Sequence, residues 1–369
     1  MASSFNIFGE SRPQSYLGID IGTLSIKIVE LSSENGRPKL ENYAILDDYG
    51  LARQSSAAEE AATAKIFGGK AAVMIRRLVK ESGIQSREVN MSVPIYSSFL
   101  TVMELPQMSE TELMNAVKFE AKKYIPVPMD SVIIDWTVVG SGAANRQTTP
   151  PPASQSEGNV SVLLIAIPKD LINEYSGIAA DSGLRLLNIE LETVSAARAL
   201  IGNDPVPAIL LDMGSRDTTV SIVENGSVRI SHSIETSGED LTRALSESLK
   251  IDWRRAEDLK RENGLRVVNG NGQIADVLTP LVDTIADAVK NISDLYFSKT
   301  GKKIDKLITY GGAARMPEFN GYLKNKLQID AMTGVPFGRI AYPEKLKPAI
   351  DDIGCEFTIA AGLALKAMQ

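Results

Sequence analysis

Two short segments of the chain place an aspartate at the end of an apolar run and two residues before a glycine. They are residues 17–23 (LGIDIGT) and 209–215 (ILLDMGS), which put Asp20 and Asp212 about 190 residues apart. Glycine lets the backbone approach a phosphate group closely, and the amides and hydroxyls of such a turn donate hydrogen bonds to phosphate oxygens. A carboxylate at each strand end suits hydrated Mg²⁺, which prefers few carboxylates together with water and phosphate oxygens. Two such hairpins facing each other would hold a triphosphate and its Mg²⁺ from both sides.

A third glycine-bearing segment strengthens this prediction. Residues 307–314 (LITYGGAA) read as a short strand, a glycine pair at Gly311 and Gly312, and the start of a helix. A glycine pair after a strand allows close approach to the ribose and base of a nucleotide. One Asp-x-Gly turn, or one glycine pair, is usually no more than a turn. The prediction therefore rests on all three segments and on their order along the chain.

The composition limits the other chemistry that the chain can use. Its 369 residues include one cysteine, Cys355, and one histidine, His232, which exclude a disulfide framework and Cys- or His-based metal clusters and argue against a His-driven triad. The balance of 39 basic against 46 acidic residues gives a net charge of −7, which argues against nucleic-acid binding. No apolar run approaches the roughly 18 residues of a membrane span, and the N-terminus lacks a signal-peptide pattern. We expect a cytosolic protein in which Cys355 is a small core residue.

The elements that must position these motifs are those of an α/β fold. Residues 15–46 and 208–233 each read as alternating strands joined by tight turns, with Asn35-Gly36 in the first set and Asn225-Gly226 in the second. Further strands are expected near residues 89–94, 98–105, 132–140, 160–167, 186–190, 306–309 and 330–333. Helices are expected near residues 70–82, 169–182, 192–200, 239–250, 253–262, 273–299, 317–327 and 353–368.

One further helix is marked at both ends. A capping box at residues 109–112 (SETE) opens it, and Pro126 and Pro128 are expected to end it. Its apolar stripe is expected to face the core rather than a peptide groove, and consists of Leu113, Val117, Ala121 and Tyr124. By contrast, residues 140–159 are of low complexity and predict a flexible loop, and residues 1–14 predict a disordered tail.

These motifs resemble the nucleotide-binding motifs of the actin-like ATPase superfamily, which includes actin, Hsp70 and the sugar kinases. Residues 20–23 resemble its first phosphate loop, residues 212–215 its second, and residues 310–314 its adenosine motif. Within the superfamily the chain is most similar to the PilM family of type IV pilus assembly proteins, with the cell-division protein FtsA as the nearest neighbour. Similar stretches span nearly the whole chain. The most distinctive is residues 120–126 (EAKKYIP), a helix end that separates this family from Hsp70 and the sugar kinases.

The resemblance implies the actin-like, ribonuclease H-like α/β fold, in which two lobes enclose a nucleotide. Subdomain 1A would comprise residues 15–94 and 184–203, and residues 95–183 would be its 1C insertion. Subdomain 2A would comprise residues 204–235 and 301–369, and residues 236–300 would form subdomain 2B.

The same resemblance assigns roles to individual residues. Asp20 and Asp212 would hold Mg²⁺ through water. Glu192 would orient a water molecule for hydrolysis, but a carboxylate at a helix N-terminus has an equally good structural role. The ATP-binding set would comprise Asp20, Gly22, Thr23, Ser25, Lys27, Asp212, Gly214, Ser215, Thr218, Glu239, Lys260, Gly311, Gly312 and Ala313.

Some of these residues have structural alternatives. Lys27 shares a strand face with Ser25 and would alternatively face solvent or form an ion pair. Glu239 and Lys260 would alternatively be ordinary surface residues. Asp217 stands where small, hydroxyl-bearing residues are usual in the second loop. A γ-phosphate would meet an unfavourable charge there unless Arg216 or the metal offsets it, which bears on ATP turnover more than on ATP binding.

The resemblance implies a cytoplasmic, ATP-binding scaffold or switch protein of the type IV pilus inner-membrane platform, held at the membrane through a partner. PilM proteins bind the N-terminal tail of the membrane protein PilN in a groove between 1A and 1C, which parts of residues 91–136 would line here. Any ATP hydrolysis would be slow, and self-association stays open. The alternatives are an FtsA-like filament protein, which would carry a C-terminal amphipathic helix that is not seen in this sequence, and a small-molecule kinase of the superfamily.

Overall fold

A computed structural model describes residues 14–47, 70–139, 159–267 and 272–368 of the chain. The predicted tail at 1–14, the loop at 140–159 and the segment near 50–68 lie outside these residues, apart from Gln14 and Asn159. The strands are β1 Ser15–Ile21, β2 Ser25–Glu34, β3 Arg37–Asp47, β4 Glu88–Val93, β5 Phe99–Pro106, β6 Val132–Val139, β7 Asn159–Pro168, β8 Arg185–Leu191, β9 Ala208–Met213, β10 Thr218–Glu224, β11 Ser227–Ile234, β12 Lys306–Tyr310 and β13 Asp330–Thr333. The α-helices are α1 Ala71–Glu81, α2 Glu110–Glu120, α3 Lys169–Asp181, α4 Glu192–Leu200, α5 Gly238–Leu249, α6 Trp253–Asn263, α7 Gly272–Thr300, α8 Phe319–Leu327, α9 Lys347–Ile353 and α10 Thr358–Lys366.

Two five-stranded sheets share one topology. The first has the order β3-β2-β1-β4-β8 and the second the order β11-β10-β9-β12-β13. In each sheet, three strands form an antiparallel meander, and two further strands continue the sheet. These two strands run parallel to the central strand of the sheet, which is β1 in the first and β9 in the second. Asp20 lies in β1 and Asp212 in β9, so the sequence repeat corresponds to a repeated structural unit. Successive side chains of a strand point to opposite faces of its sheet, so the apolar residues of these strands contribute to the core on each face.

Each five-stranded sheet packs against its own helices. In the first, Ile19, Ile28 and Met91 join residues of α1 and α3 in one buried cluster. In the second, Leu211 and Ile222 join residues of α5, α7 and α8. These cores hold the hairpin tips in place, because most residues of β1, β9 and β10 are buried.

A smaller sheet of order β5-β7-β6 packs against α2. Ser109 caps α2 with the predicted capping box, in which its side chain and that of Glu112 exchange hydrogen bonds with the backbone. Leu113, Val117 and Ala121 are buried in this core, but Tyr124 is 48% exposed. The prediction was wrong for Tyr124, because the α-helix ends at Glu120 and a 3-10 turn at Ala121–Lys123 rotates the following residue out of the stripe.

The C-terminal helix α10 joins the two lobes. Its residues Ile359 and Leu363 pack with Leu210 and Ile308 of the second sheet, while Ala360 packs with Val29 and Leu31 of the first. Cys355 is buried in the same region, as expected. The sequence predicted one helix over 353–368, whereas the structure has α9, a 3-10 turn at Gly354–Phe357 and then α10.

Helix α10 approaches its neighbours so closely that only glycine fits at two points. A Cβ atom at Gly18 of β1 would lie 1.9 Å from the carbonyl oxygen of Ala360. A Cβ atom at Gly362 would lie 1.9 Å from the carbonyl oxygen of Ser195 in α4. The side-chain amide of Asn90 in β4 also donates to the backbone carbonyl of Leu363 at 2.9 Å. These contacts fix the central helices against the first sheet. Among the described residues no helix is both long and apolar enough to span a membrane.

We predict that Gly362→Ala destabilises the protein by about 2 kcal/mol or more, because the new methyl group must displace the backbone of α4. The matched control is Gly177→Ala in α3, where a Cβ atom would meet nothing within 4 Å. There the change should stabilise the protein by about 0.5–1 kcal/mol through helix propensity. Urea unfolding of both variants measures the difference, and a Gly362→Ala variant as stable as wild type would contradict the close contact.

Candidate functional site

The first hairpin turn, at residues 22–24, brings Asp20 and Lys27 together. Asp20 and Lys27 are register partners across β1 and β2. The ammonium of Lys27 lies 3.9 Å from Oδ2 of Asp20 and donates to Oγ of Ser25 at 2.8 Å. The turn is closed by the amide of Gly22, which donates to the carbonyl of Ser25 at 2.9 Å. Lys27 and Ser25 therefore share the predicted strand face, and Lys27 forms the ion pair that the sequence left as one alternative.

The second hairpin turn, at residues 214–217, is docked on the N-terminus of α5. The amide of Gly238 donates to the carbonyl of Gly214 at 3.0 Å, and the amide of Glu239 donates to the carbonyl of Ser215 at 2.8 Å. The hydroxyl of Ser215 donates to Oε1 of Glu239 at 3.0 Å. Thr218 does not reach the cleft: it is fully buried, and its hydroxyl contacts Sδ of Met213 at 3.8 Å.

The glycine pair after β12 lies against the second aspartate. Gly311 has φ +90°, which favours glycine, and a Cβ atom there would lie 2.7 Å from Oδ1 of Asp212. Tyr310 is the register partner of Asp212 across β12 and β9. The strand, the glycine pair and the second aspartate thus form one continuous edge.

Lys260 and Glu239 are not ordinary surface residues, and that alternative was wrong. The side chain of Lys260 is buried, and its ammonium donates to the carbonyl of Gly238 at 2.9 Å and to Oγ1 of Thr242 at 2.7 Å. It also lies 2.7 Å from Oε2 of Glu257. Burial lowers the pKa of Lys260, and the field of Glu257 acts in the opposite direction. Lys260 therefore holds α5, α6 and the second loop together.

These elements enclose a cavity of about 120 Å³ between the two five-stranded sheets. Except for Thr218, every residue of the predicted ATP-binding set lines it, as does Glu192. Three cationic side chains line the cavity, namely Lys27, Lys260 and Arg261. Eight carboxylates line it as well, namely Asp20, Asp47, Glu192, Asp212, Asp217, Glu239, Glu257 and Glu356. The cavity therefore carries a formal excess of five negative charges.

The carboxylates at the centre of the cavity raise one another's pKa values. Burial raises the pKa of Asp212 well above its usual range, and the charges of Asp217 and Asp20 raise it further. Burial also raises the pKa of Glu192, helped by Asp20, Asp217 and Asp212, while Lys27 lowers it. Both shifts arise because a buried anion loses hydration and meets like charges. A cation bound among these carboxylates would therefore lower their pKa values.

Several cavity residues were not singled out from the sequence. Tyr310 directly precedes the glycine pair, and Glu257 lies one helical turn before Lys260 on α6, so both had a local signal. Asp47 and Glu356 had no local sequence signal. Asp47 ends the edge strand β3, and Glu356 lies in the 3-10 turn before α10. Within the described part of the chain, no three His, Cys, Asp or Glu side chains are grouped as direct ligands of a metal ion.

We predict that Asp212→Asn stabilises the nucleotide-free protein at neutral pH. The pKa of Asp212 is higher in the folded than in the unfolded state, so its ionisation costs stability as the pH rises through the folded pKa. Removing this cost should raise the melting temperature of this 369-residue chain by about 1–2 °C for each kcal/mol gained, and the gain should vanish as the pH falls towards about 4.

Thermal melting from neutral to acidic pH measures this effect, with Asp294→Asn as the control because Asp294 is exposed on α7. An Asp212→Asn variant that melts at or below the wild-type temperature at neutral pH would contradict the electrostatic account.

Comparisons with known proteins agree with this geometry. The sequence model of a family described as type IV pilus assembly protein PilM matches residues 18–368. The fold matches a structure titled PilM-PilN type IV pilus biogenesis complex with a TM-score of 0.77, at 23% identity and over 96% of this chain and 98% of that one. It also matches the ethanolamine utilization protein EutJ from Carboxydothermus hydrogenoformans with a TM-score of 0.55, at 17% identity and over 96% of this chain and 90% of that one.

Curated relatives include the cell division protein FtsA of Streptococcus pneumoniae, 21% identical over 266 residues, which are 69% of this chain and 57% of FtsA. FtsA of Enterococcus faecalis is 22% identical over 265 residues, or 68% of this chain and 58% of that protein. The chain thus spans less than two thirds of the length of these relatives. The family match covers almost the whole chain, and the structural neighbours share the actin-like ATPase fold. The chain therefore belongs to the PilM family of type IV pilus assembly proteins.

Proposed function

We propose that this protein binds Mg²⁺-ATP in the cleft between its two five-stranded sheets and uses the nucleotide as a switch in type IV pilus assembly. The observation that carries this proposal is the equivalent placement of Asp20 and Asp212. Each is the next-to-last residue of the central strand of its sheet, Asp20 in β1 and Asp212 in β9. Both line one cavity together with Gly22, Gly214 and Gly311. A structural neighbour at 14% identity with a TM-score of 0.50, MreB5 of Spiroplasma citri, is described as bound to ADP, which supports nucleotide binding by this fold.

The residues of the cavity suit a nucleotide with its cation. Asp20 and Asp212 would hold Mg²⁺ through water, because Mg²⁺ binds with few carboxylates and keeps several waters. The bound ion would neutralise phosphate charge in a cavity whose own excess of five negative charges would otherwise repel the anion. Backbone amides at Gly22 and Gly214, with Thr23, Ser25, Lys27 and Ser215, would donate to the phosphates.

The other end of the cavity suits the nucleoside. Gly311 and Gly312 line this end with backbone alone, and a Cβ atom at Gly311 would clash with Asp212 and the carbonyl of Met213. Glu239, Lys260 and Ala313 line the cavity beside the glycines and would contact the ribose and base. Glu192 would orient a water molecule, and any hydrolysis is expected to be slow.

The partner is proposed to be the N-terminal tail of a PilN-like membrane protein, in keeping with the structural match to a PilM-PilN complex. Exposed apolar side chains support a docking surface, since six of the thirteen large hydrophobic residues exposed in the described part of the chain lie between positions 96 and 133. They are Tyr96, Met114, Phe119, Tyr124, Val127 and Ile133. We propose that this set contributes to one apolar docking face.

A cavity of about 240 Å³ adjoins this face. Ile95, Phe99, Tyr124 and Ile125 line it on one side, and residues 231–233 of β11 line it on the other. Parts of the predicted region 91–136 thus border a groove that the second sheet completes. Nucleotide-dependent movement of the two sheets would change the width of this groove, because its walls belong to different lobes. The protein would then act in the cytoplasm and be held at the inner membrane through its partner.

We predict that Asp20→Ala and Asp212→Ala each weaken Mg²⁺-ATP binding by at least about a hundredfold, because each removes a carboxylate that would orient the metal's water shell. Isothermal titration calorimetry with ATP in excess Mg²⁺ measures the affinity, and Asp294→Ala on the exposed face of α7 is the control. Unchanged affinity in both variants would contradict the placement of the nucleotide.

We predict that Phe119→Ser and Tyr124→Ser each weaken the binding of the partner's tail peptide by about tenfold, as the loss of an aromatic interface residue does. Phe297→Ser is the control, because Phe297 on α7 is similarly exposed but lies outside the docking face. Fluorescence anisotropy with a labelled tail peptide measures the affinity. Equal binding by all three variants would place the peptide elsewhere.

A further inference from the structure

The second phosphate loop carries a carboxylate that the proposed ATP site does not need. Asp217 is the last residue of the turn between β9 and β10, and its side chain lines the same cavity as Asp20, Asp212 and Glu192. The turn doubles back on itself, so that a Cβ atom on Gly214 would lie 3.2 Å from Oδ1 of Asp217. The carboxylate thus stands directly over the glycine whose backbone is proposed to approach a phosphate.

No cation neutralises Asp217 in the described residues. Arg216, its neighbour in sequence, is turned towards α5 and pairs with Oε1 of Glu239 at 3.5 Å. Lys27 lies beside Asp20, at 3.9 Å from its Oδ2. The hydroxyl of Thr219 makes only a weak contact with the side chain of Asp217, at 3.5 Å from Oγ1 to Oδ2. The charge of Asp217 therefore faces whatever enters the cavity.

The cavity has two distinct ends. Near Lys260, Arg261, Gly312 and Ala313 it continues into a smaller cavity of about 70 Å³, which also reaches Arg315. That end offers space and positive charge and suits the bulky nucleoside. The opposite end contains Asp20, Glu192 and Asp217, which all line the cavity. A phosphate chain entering from the nucleoside end would point its last phosphate at these carboxylates.

We propose that Asp217 determines the nucleotide preference of this cleft, favouring a nucleoside diphosphate over a triphosphate through its charge at the terminal-phosphate end. This inference rests on the proposed nucleotide site and sharpens it. A triphosphate brings an additional phosphate, with its charge, closer to Asp217 than a diphosphate does. Bound Mg²⁺ offsets part of this repulsion, but the charges of Asp20 and Asp212 already neutralise part of the charge of that ion. The nucleotide state of the protein would then be set by one loop residue rather than by hydrolysis alone.

The test compares ADP and ATP affinities of the full chain in excess Mg²⁺ by isothermal titration calorimetry. Asp217→Asn keeps the size of the side chain and removes its charge. It should tighten ATP binding by about tenfold and ADP binding by less than about threefold. Asp217→Ser serves as the second variant should the first fold poorly, and melting temperatures report folding in each case.

The matched control is Glu356→Gln. Glu356 lines the same cavity but lies at the nucleoside end, because its Oε2 is 3.7 Å from the position of a Cβ atom on Gly312 and its Oε1 pairs with Arg315 at 2.6 Å. Losing this charge should change the ADP and ATP affinities by one common factor. If Asp217→Asn also leaves their ratio unchanged, or if it weakens ATP binding, the inference is overturned while the nucleotide site stands. If wild type binds neither nucleotide, the proposed function itself fails and the inference falls with it.

Discussion

The concentration of carboxylates between the two sheets is the constraint on which the rest of the structure depends. Asp20, Asp212, Asp217 and Glu192 face one small cavity, and burial raises the pKa of each of them. Such crowding costs free energy in the folded protein. It persists because the strands behind the hairpin tips are locked in fully buried cores on both sides. A bound cation would offset this electrostatic cost.

The packing of the central helices keeps that arrangement rigid. Helix α4 begins at Glu192 in the cleft, and α10 crosses it so closely that Gly362 has no room for a side chain. Behind them, Glu190 accepts hydrogen bonds from Ser195, Arg198 and Lys366, and thereby links β8, α4 and α10. Burial opposes the low pKa of Glu190, but the hydrogen bonds and the charges of Arg198 and Lys366 lower it overall. A charge in this position is fully compensated, in contrast to the charges in the cleft.

This contrast separates structural from functional acids in one molecule. Glu190 and Glu257 are buried with cationic partners and have lowered pKa values. Asp212 and Glu192 are buried among other acids and have raised pKa values. Perturbed acids without compensating partners, gathered in a cleft, mark a binding site rather than a structural ion pair. The proposed docking face includes Tyr124, which lines a second cavity together with β11 of the second sheet, so a ligand in that cavity would contact both lobes.

The sequence by itself determined the repeated Asp-x-Gly hairpins, the glycine pair and most helices and strands, because turns and periodic burial are local properties of the chain. It also identified more than half of the residues that line the cavity, most of which belong to those motifs. Only the tertiary structure decided that Thr218 points into the core, that Tyr124 leaves its stripe and that Lys260 is buried. It alone brought Asp47 and Glu356 into the cleft and showed that Arg216 turns away from Asp217. These outcomes depend on which distant elements pack together, and such long-range contacts leave no signal in local spacing.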